Sequence, residues 1–222
     1  MDIRKFNNLI KRQLIDSVAH PGYKVLDVGC GCGGDLFKWL DHGVELYACD
    51  PDPVSIREAR RRVAGKKCSL FVGDISVAPK MKYDIICYNF SLQYIFETRD
   101  LFENAMQCIY ELSHEKTKFI GVIPDSDFIM QSRTYSDQSG NYITREQECL
   151  GEFGEHIQVY IKGAPYYKNG PRPEPIAYKD VLFTRLENMG YNLYYWRPFT
   201  QVPVGRMTDL YSEFVFIFDT SK

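Results

Sequence analysis

Histidine and tryptophan are scarce in this 222-residue chain, at four and two residues, and neither sign of charge prevails: 27 Lys and Arg face 29 Asp and Glu, a formal net charge of -2. Without a cation excess the chain is no coat for long nucleic acid, because such binding is driven by neutralising many phosphates. A nucleic-acid substrate would have to be gripped locally, as a chain end is. No apolar run is long enough to span a bilayer, and the opening MDIRKFNNLIKRQLI lacks the apolar stretch of a signal peptide. No membrane partner is therefore expected, and the setting reads as intracellular. The seven cysteines (Cys30, Cys32, Cys49, Cys68, Cys87, Cys108, Cys149) are scattered, and the one-residue gap between Cys30 and Cys32 is not zinc-ligand spacing. Reduced thiols are expected, with neither a disulfide framework nor a metal. His20, His42, His114 and His156 form no dyad or triad, and repeats and low-complexity tracts are missing.

Aromatic residues are plentiful: 16 Tyr and 14 Phe. Most should pack a core, and a minority is available to stack on bases. The apolar spacing of Phe6, Leu9, Ile10, Leu14 and Val18 predicts an amphipathic helix over 3–19. Short apolar runs then alternate with helical stretches. Strands are expected at 24–28, 45–49, 69–72, 83–88 and 118–123, and helices at 35–40, 54–63 and 101–112. That rhythm predicts a doubly wound α/β fold with a mostly parallel sheet. After Pro124 it breaks: 125–178, rich in Gly, Pro, Tyr and charge, reads as an insertion of loops and short strands, one at 157–162. A helix at 179–190 and strands at 193–196 and 213–218 complete seven strands. A single domain is expected, with a cofactor core at 20–124, a binding insertion at about 125–178 and a closing unit at 179–222.

The strongest local signal is KVLDVGCGCGGD at 24–35, a strand running into closely spaced glycines (Gly29, Gly31 among them) and then a helix. Glycine suits a sharp turn whose backbone approaches a ligand. The loop alone does not separate dinucleotides from other cofactors. The acids do. Asp27 precedes the loop, where it would repel a pyrophosphate but attract a sulfonium and an ammonium. Asp50 ends the second strand, where a carboxylate accepts ribose hydroxyls, and Asp74 ends the third, where it accepts an adenine amino group. Three acids at successive strand ends converge at the switch point of such a sheet. They point to S-adenosylmethionine on the seven-stranded sheet of the class I (Rossmann-like) methyltransferases.

Five blocks resemble the mRNA cap guanine-N7 methyltransferases: FNNLIKRQLI (6–15), GCGCGGDLFKW (29–39), NFSLQYIFE (89–97), FIGVIPDSD (119–127) and RPEPIAY (172–178), with EFVFIFD (213–219) similar to that family's last strand. The resemblance implies Lys11, Asn89 and Tyr94 at the cofactor. It implies Asn7, Asn8, Lys38, Arg62, Gln93 and Glu174 at the cap. Departures are Cys32 for a loop lysine, Gln93 for a histidine, Asn89 for a glutamine, and Glu213 where an aromatic is expected. Such compact versions look most like the methyltransferase domains of multifunctional capping enzymes from large DNA viruses.

The implied reaction is methylation of guanine N7 at a 5′ capped RNA end, leaving S-adenosylhomocysteine. N7 has a free lone pair and no proton to lose, so no general base is needed. Glu174, stiffened between Pro173 and Pro175, would read the guanine N1 and N2 edge and offset the charge that develops on the purine. Implied partners are the RNA end and triphosphatase and guanylyltransferase domains or subunits. The implied location is the nucleus, or the host cytoplasm for a viral chain. Rival readings are a small-molecule methyltransferase, which leaves FNNLIK and RPEP unexplained, and a catalytically silent subunit that stabilises a capping partner. Degraded cofactor acids would mark the silent case, and all three acids are present.

Overall fold

The protein was analysed as a computed structural model that describes residues 3–145, 151–202 and 205–219; Cys149, expected as a thiol, lies outside them. Helix α1 (Ile3–Val18) buries Leu14, Ile15 and Val18. Leu9, assigned to that face by its spacing, is instead 43% exposed.

Five short elements build the first half: β1 (Lys24–Val28), α2 (Leu36–Leu40), β2 (Glu45–Asp50), α3 (Pro53–Arg62) and β3 (Cys68–Val72). Asp52 caps α3 by accepting from the Val54 and Ser55 amides at 2.9 and 3.1 Å, and Pro53, with no amide hydrogen to waste, opens the first turn. Then come β4 (Tyr83–Asn89), α4 (Arg99–Leu112) and β5 (Ser113–Pro124). β5 begins well before its apolar run. Lys116, at φ 74°, and a register shift opposite Tyr83–Ile85 mark a bulge, with the Thr117 hydroxyl donating to the Tyr83 carbonyl at 2.7 Å.

Beyond β5 the insertion carries α5 (Ser126–Ile129), β6 (Thr134–Ser136), β7 (Tyr142–Thr144), β8 (His156–Tyr160) and β9 (Arg172–Pro175). The four strands pair in sequence as a second, antiparallel sheet. Its strands are too short and too mixed in polarity to announce more than one of themselves by pattern. The chain then closes with α6 (Lys179–Asn188), β10 (Tyr191–Pro198) and β11 (Tyr211–Phe218).

The main sheet has seven strands in the order β10-β11-β5-β4-β1-β2-β3. β1 through β5 are mutually parallel, and β11 runs antiparallel to both β5 and β10. Alternation along the strands feeds two cores. Val25, Ile85 and Cys87 face α1, α2 and α3, while Leu26, Ile86 and Tyr88 face α4 and α6. Order reverses between β1 and β4, so a crevice opens at their carboxyl ends. The second sheet joins the α1-side core through Ile143, Ile157 and Val159. Its last strand, β9, thereby reaches the same end of the main sheet.

Candidate active site

The crevice is built from strand ends. At Gly29 (φ 74°) an added Cβ would lie 2.3 Å from the Ser91 Cβ, so the loop between β1 and α2 closes only with glycine there. Gly31 (φ 52°) faces open space. Its amide donates to Asp50 Oδ2 at 2.8 Å, and the Asp52 amide donates to Oδ1 at 2.9 Å. The carboxylate at the end of β2 is thus aimed by two backbone bonds. Asp74 accepts from the Ser76 amide at 2.9 Å in the turn after β3.

Asp27 is buried beside the loop at 2% exposure, and its Oδ2 has no hydrogen-bond partner. Burial, reinforced by the nearby Asp35 charge, pushes its pKa up to about 7. Asn89 Oδ1 is likewise buried without a partner. A carboxyl oxygen and an amide oxygen, both dry and both acceptors, call for a donor or a cation that the chain itself does not supply.

Asp35, expected only as the residue that opens α2, occupies the centre of the site. Lys11 donates to its Oδ2 at 2.8 Å and Asn89 to the same oxygen at 3.3 Å, while Lys38 pairs with its Oδ1. Burial alone would raise its pKa, but the two ammonium groups outweigh it and hold Asp35 below the usual carboxylate range. Lys38, expected at the mouth, is only 7% exposed; it also donates to the Gly34 carbonyl at 2.9 Å and to Asn8 Oδ1 at 3.4 Å. Its charge is matched within the protein. Arg62 is exposed and shares Glu58 with Arg61, and those two guanidiniums hold the Glu58 carboxyl down to about 2.

A second wall comes from the insertion. Glu174 on β9 is 4% exposed and accepts from Tyr167 at 2.5 Å and from Gln93 Nε2 at 3.0 Å. Gln93 lies on the 3-10 turn Leu92–Glu97 that follows β4, so this bond ties the two sheets together. Burial raises the Glu174 pKa, against the two hydrogen bonds and the nearby Arg172 charge. Tyr94 belongs to this wall and meets Tyr166, hydroxyl to hydroxyl, at 2.9 Å.

Phe90, directly after β4, holds φ at 58°, a conformation a bulky residue adopts only where its surroundings impose it. Its ring lies 5.2 Å from Tyr211 and 6.2 Å from Phe199. That aromatic trio stands where the C-terminal side of the pocket lacked an aromatic by sequence register. Glu213, the residue at that register, turns instead to Arg197 at 2.7 Å. Asn7 Oδ1, on α1, is buried and unpartnered.

Burial pushes the Cys49 and Cys68 thiols up to about 12, and Cys30 and Cys87 higher still. The six described cysteines are unpaired. Three described histidines meet carboxylates: His42 meets Asp16, His114 meets Asp84, and His156, on the strand beside β9, meets Glu97. Among the described residues no three His, Cys, Asp or Glu side chains gather as metal ligands. Clefts of about 600 and 310 Å³ lie elsewhere, around Asp180 and Val181 on α6. Neither includes Asp27, Asp50 or Glu174.

Comparison with known proteins gives the family and the fold. The sequence signature of the mRNA (guanine-N(7))-methyltransferase domain matches residues 1–164. The chain belongs to that family. It is 34% identical over 144 residues to the mRNA cap guanine-N(7) methyltransferase of Candida glabrata, a match covering 57% of this chain and 34% of that protein. It is 32% identical over 199 residues to the mRNA cap guanine-N(7) methyltransferase 1 of Oryza sativa subsp. japonica, covering 80% and 51%. The chain therefore spans about a third to a half of the length of these relatives. In fold it is similar to the glycopeptide N-methyltransferase MtfA complexed with S-adenosylmethionine, with a TM-score of 0.65 at 17% identity over 96% of this chain and 94% of that one. The doubly wound sheet is thus the class I fold of S-adenosylmethionine-dependent methyltransferases.

The family match ends at residue 164, before the strand that carries Glu174. Phe199 carries no sequence signal for the site, while Tyr166 and Tyr167 stand in the tyrosine- and cation-bearing peptide GAPYYKNGPRP (163–173), a mixture suited to a triphosphate and a stacked base. Tyrosine and phenylalanine are so frequent in this chain that type alone carries no signal. Asp35 had a usable one: an acid set three residues before Lys38, where the first turn of a helix brings the two side chains together.

Proposed function

We propose that this chain transfers a methyl group from S-adenosylmethionine to N7 of the guanine cap of mRNA. The observation that carries the reading is the pairing of two environments at one crevice. One is a dry acceptor set with a glycine loop and strand-end acids; the other is a buried carboxylate, Glu174, framed by Gln93 and Tyr167.

The residues fit the cofactor. Asp27 and Asn89 offer oxygens to its cationic end, Asp50 to the ribose, Asp74 to the adenine amino group, and Lys11 to its carboxylate. Bound there, the cofactor supplies an electrophilic methyl carbon on a positively charged sulfur. Glu174 would accept from the guanine N1 and N2 donors and orient N7. Such orientation contributes on the order of 7–11 kcal/mol to a two-substrate reaction. Because N7 carries no proton, the transfer needs no general base. Phe90, Phe199 and Tyr211 exclude water and give the base an apolar face. Asn7, Asn8 and Arg62 would flank the cap, with Tyr94 closing it on the Glu174 side.

On this reading the N-terminal helix, core and insertion act as one methyltransferase unit on capped 5′ RNA ends. It would work beside triphosphatase and guanylyltransferase activities, in the nucleus or, for a viral chain, in the host cytoplasm. Among the described residues no helix is long and apolar enough to cross a membrane. The deciding experiment is methyl transfer to GpppN-capped RNA, with uncapped RNA and free GTP as controls; transfer to all three alike would defeat the cap reading.

Three variants separate cofactor, core and cap. Asp50→Ala is expected to weaken S-adenosylhomocysteine binding by about 1.5–3 kcal/mol, the worth of hydrogen bonds to a charged acceptor. Unchanged affinity in calorimetry would place the ribose elsewhere. Lys38→Met and Arg62→Ala should differ from each other. Loss of Lys38 strips one of two cations from buried Asp35 and should cost about 2–3 kcal/mol of stability, below the ~3–5 kcal/mol of a fully broken buried pair because Lys11 remains. Loss of exposed Arg62 should leave the melting temperature alone and raise the KM for capped RNA, an effect that fades with added salt.

A further inference from the structure

We propose that Arg172, stacked on Tyr166 at the rim above Glu174, is the residue that grips the phosphate bridge of the capped end. The proposal deepens the cap reading and rests on it.

Arg172 and Glu174 are two positions apart on β9, so the pleat sends both side chains to the same face of the second sheet. Glu174 is buried; Arg172 is exposed. A base seated with its edge on Glu174 carries its ribose and phosphates outward, toward the rim. The Arg172 guanidinium lies 4.3 Å from the centroid of the Tyr166 ring. Tyr166 is fixed in turn by its 2.9 Å contact with the Tyr94 hydroxyl and by an edge-on contact with Tyr167, whose hydroxyl donates to Glu174. Rings therefore connect the guanidinium to the carboxylate on the pocket floor.

Stacking holds a guanidinium by its face and leaves its in-plane N–H donors free, the geometry that meets a phosphate with two parallel bonds. Three nearby cations already have carboxylate partners within the chain: Lys11 and Lys38 meet Asp35, and Arg62 shares Glu58 with Arg61. Arg172 forms no ion pair among the described residues, although its charge reaches both Glu174 and Tyr94. An uncommitted, pre-oriented cation beside the base-reading carboxylate suits the anionic bridge that every capped end carries. The same charge helps keep Glu174 ionised, so the rim and the floor support each other.

The test is steady-state methyl transfer to GpppA by wild type, Arg172→Gln and Arg172→Lys, each across a salt series. Arg172→Gln is expected to raise KM about tenfold with kcat within about twofold. It should also flatten the dependence of log(kcat/KM) on log salt by roughly one. Arg172→Lys, which keeps the charge and loses the fork, should fall between the two. Melting temperatures should match, since the side chain is exposed. A drop in kcat at unchanged KM, or an unchanged salt slope, would overturn the proposal. So would kinetics equal to wild type. If wild type itself fails to methylate GpppA and capped RNA while binding S-adenosylhomocysteine, the cap reading falls, and this inference with it.

Discussion

Glu174→Gln is expected to lower turnover on capped RNA by about a hundredfold to a thousandfold, the usual cost of losing one preorganised electrostatic partner. The substitution preserves size and one acceptor. It removes the charge and places an amide donor against guanine's own donors. Charge on the purine grows as N7 accepts the methyl group, so the loss should appear in kcat at saturating cap and not only in KM. The pocket makes the effect local. Gln93 and Tyr167 donate to the two carboxylate oxygens, and the amide oxygen of the variant can keep one of those bonds. S-adenosylhomocysteine affinity should therefore stay near wild type. Burial also raises the Glu174 pKa above the ordinary glutamate value. Wild type should accordingly lose activity as pH falls toward that raised pKa, and Glu174→Gln should lack this acidic limb. Wild-type turnover in the variant would mean that another group reads guanine. Glu213, whose Oε1 is held by Arg197 while its buried Oε2 has no partner, would be the next to test.

Asp27→Asn is expected to do two opposite things: to stabilise the free chain at pH 8 and to cripple cofactor binding. The Asp27 pKa is about 7 in the folded chain against a reference of 3.8. Between those values the folded state keeps a proton that the unfolded state releases. The stability from this group is fully present below pH 3.8 and is lost as pH rises through 7. At ~1.4 kcal/mol per pH unit, the cost of ionising this buried acid reaches about 4 kcal/mol by pH 8. Asparagine avoids it, and for a chain of this size the melting temperature should rise by on the order of 10 °C. The same ionised oxygen is what a sulfonium and an ammonium require. S-adenosylmethionine should therefore bind wild type more tightly at pH 8 than at pH 6, and the variant poorly at both. Thermal melts with and without ligand at the two pH values check both halves. A variant no more stable than wild type at pH 8 would show that Asp27 ionises there without strain.

Much of this was legible before any coordinates. The seven strands of the main sheet follow from apolar runs separated by helical spacing. The cofactor side follows from a glycine loop with acids at three strand ends, because its groups are local to each strand and need only the sheet to converge. Glu174 was suggested by resemblance to the family, because a glutamate between two prolines is by itself an ordinary turn residue. The limits were long-range. Asp35 became the hub of the site only when α1 delivered Lys11 from 24 positions away and β4 delivered Asn89 from 54. Lys38 carried a charge that sequence assigned to a ligand, and the fold spent it on Asp35.

The guanine-side wall shows the same division. Phe90 follows β4, whereas Phe199 and Tyr211 stand at the two ends of the β10–β11 connection, and Tyr211 is an aromatic two residues before position 213. Residues two apart on a strand share a face, so Tyr211 points to the same side of β11 as Glu213 and substitutes for it. Local pattern encodes which segments become strands and helices, since backbone geometry and burial repeat every two or 3.6 residues. Which charges remain free for a ligand is not periodic at all. It depends on which distant side chains the packing brings within hydrogen-bond reach, and in this protein that decided that Lys38 is matched, that Glu213 keeps one oxygen without a partner, and that Arg172 forms no ion pair among the described residues.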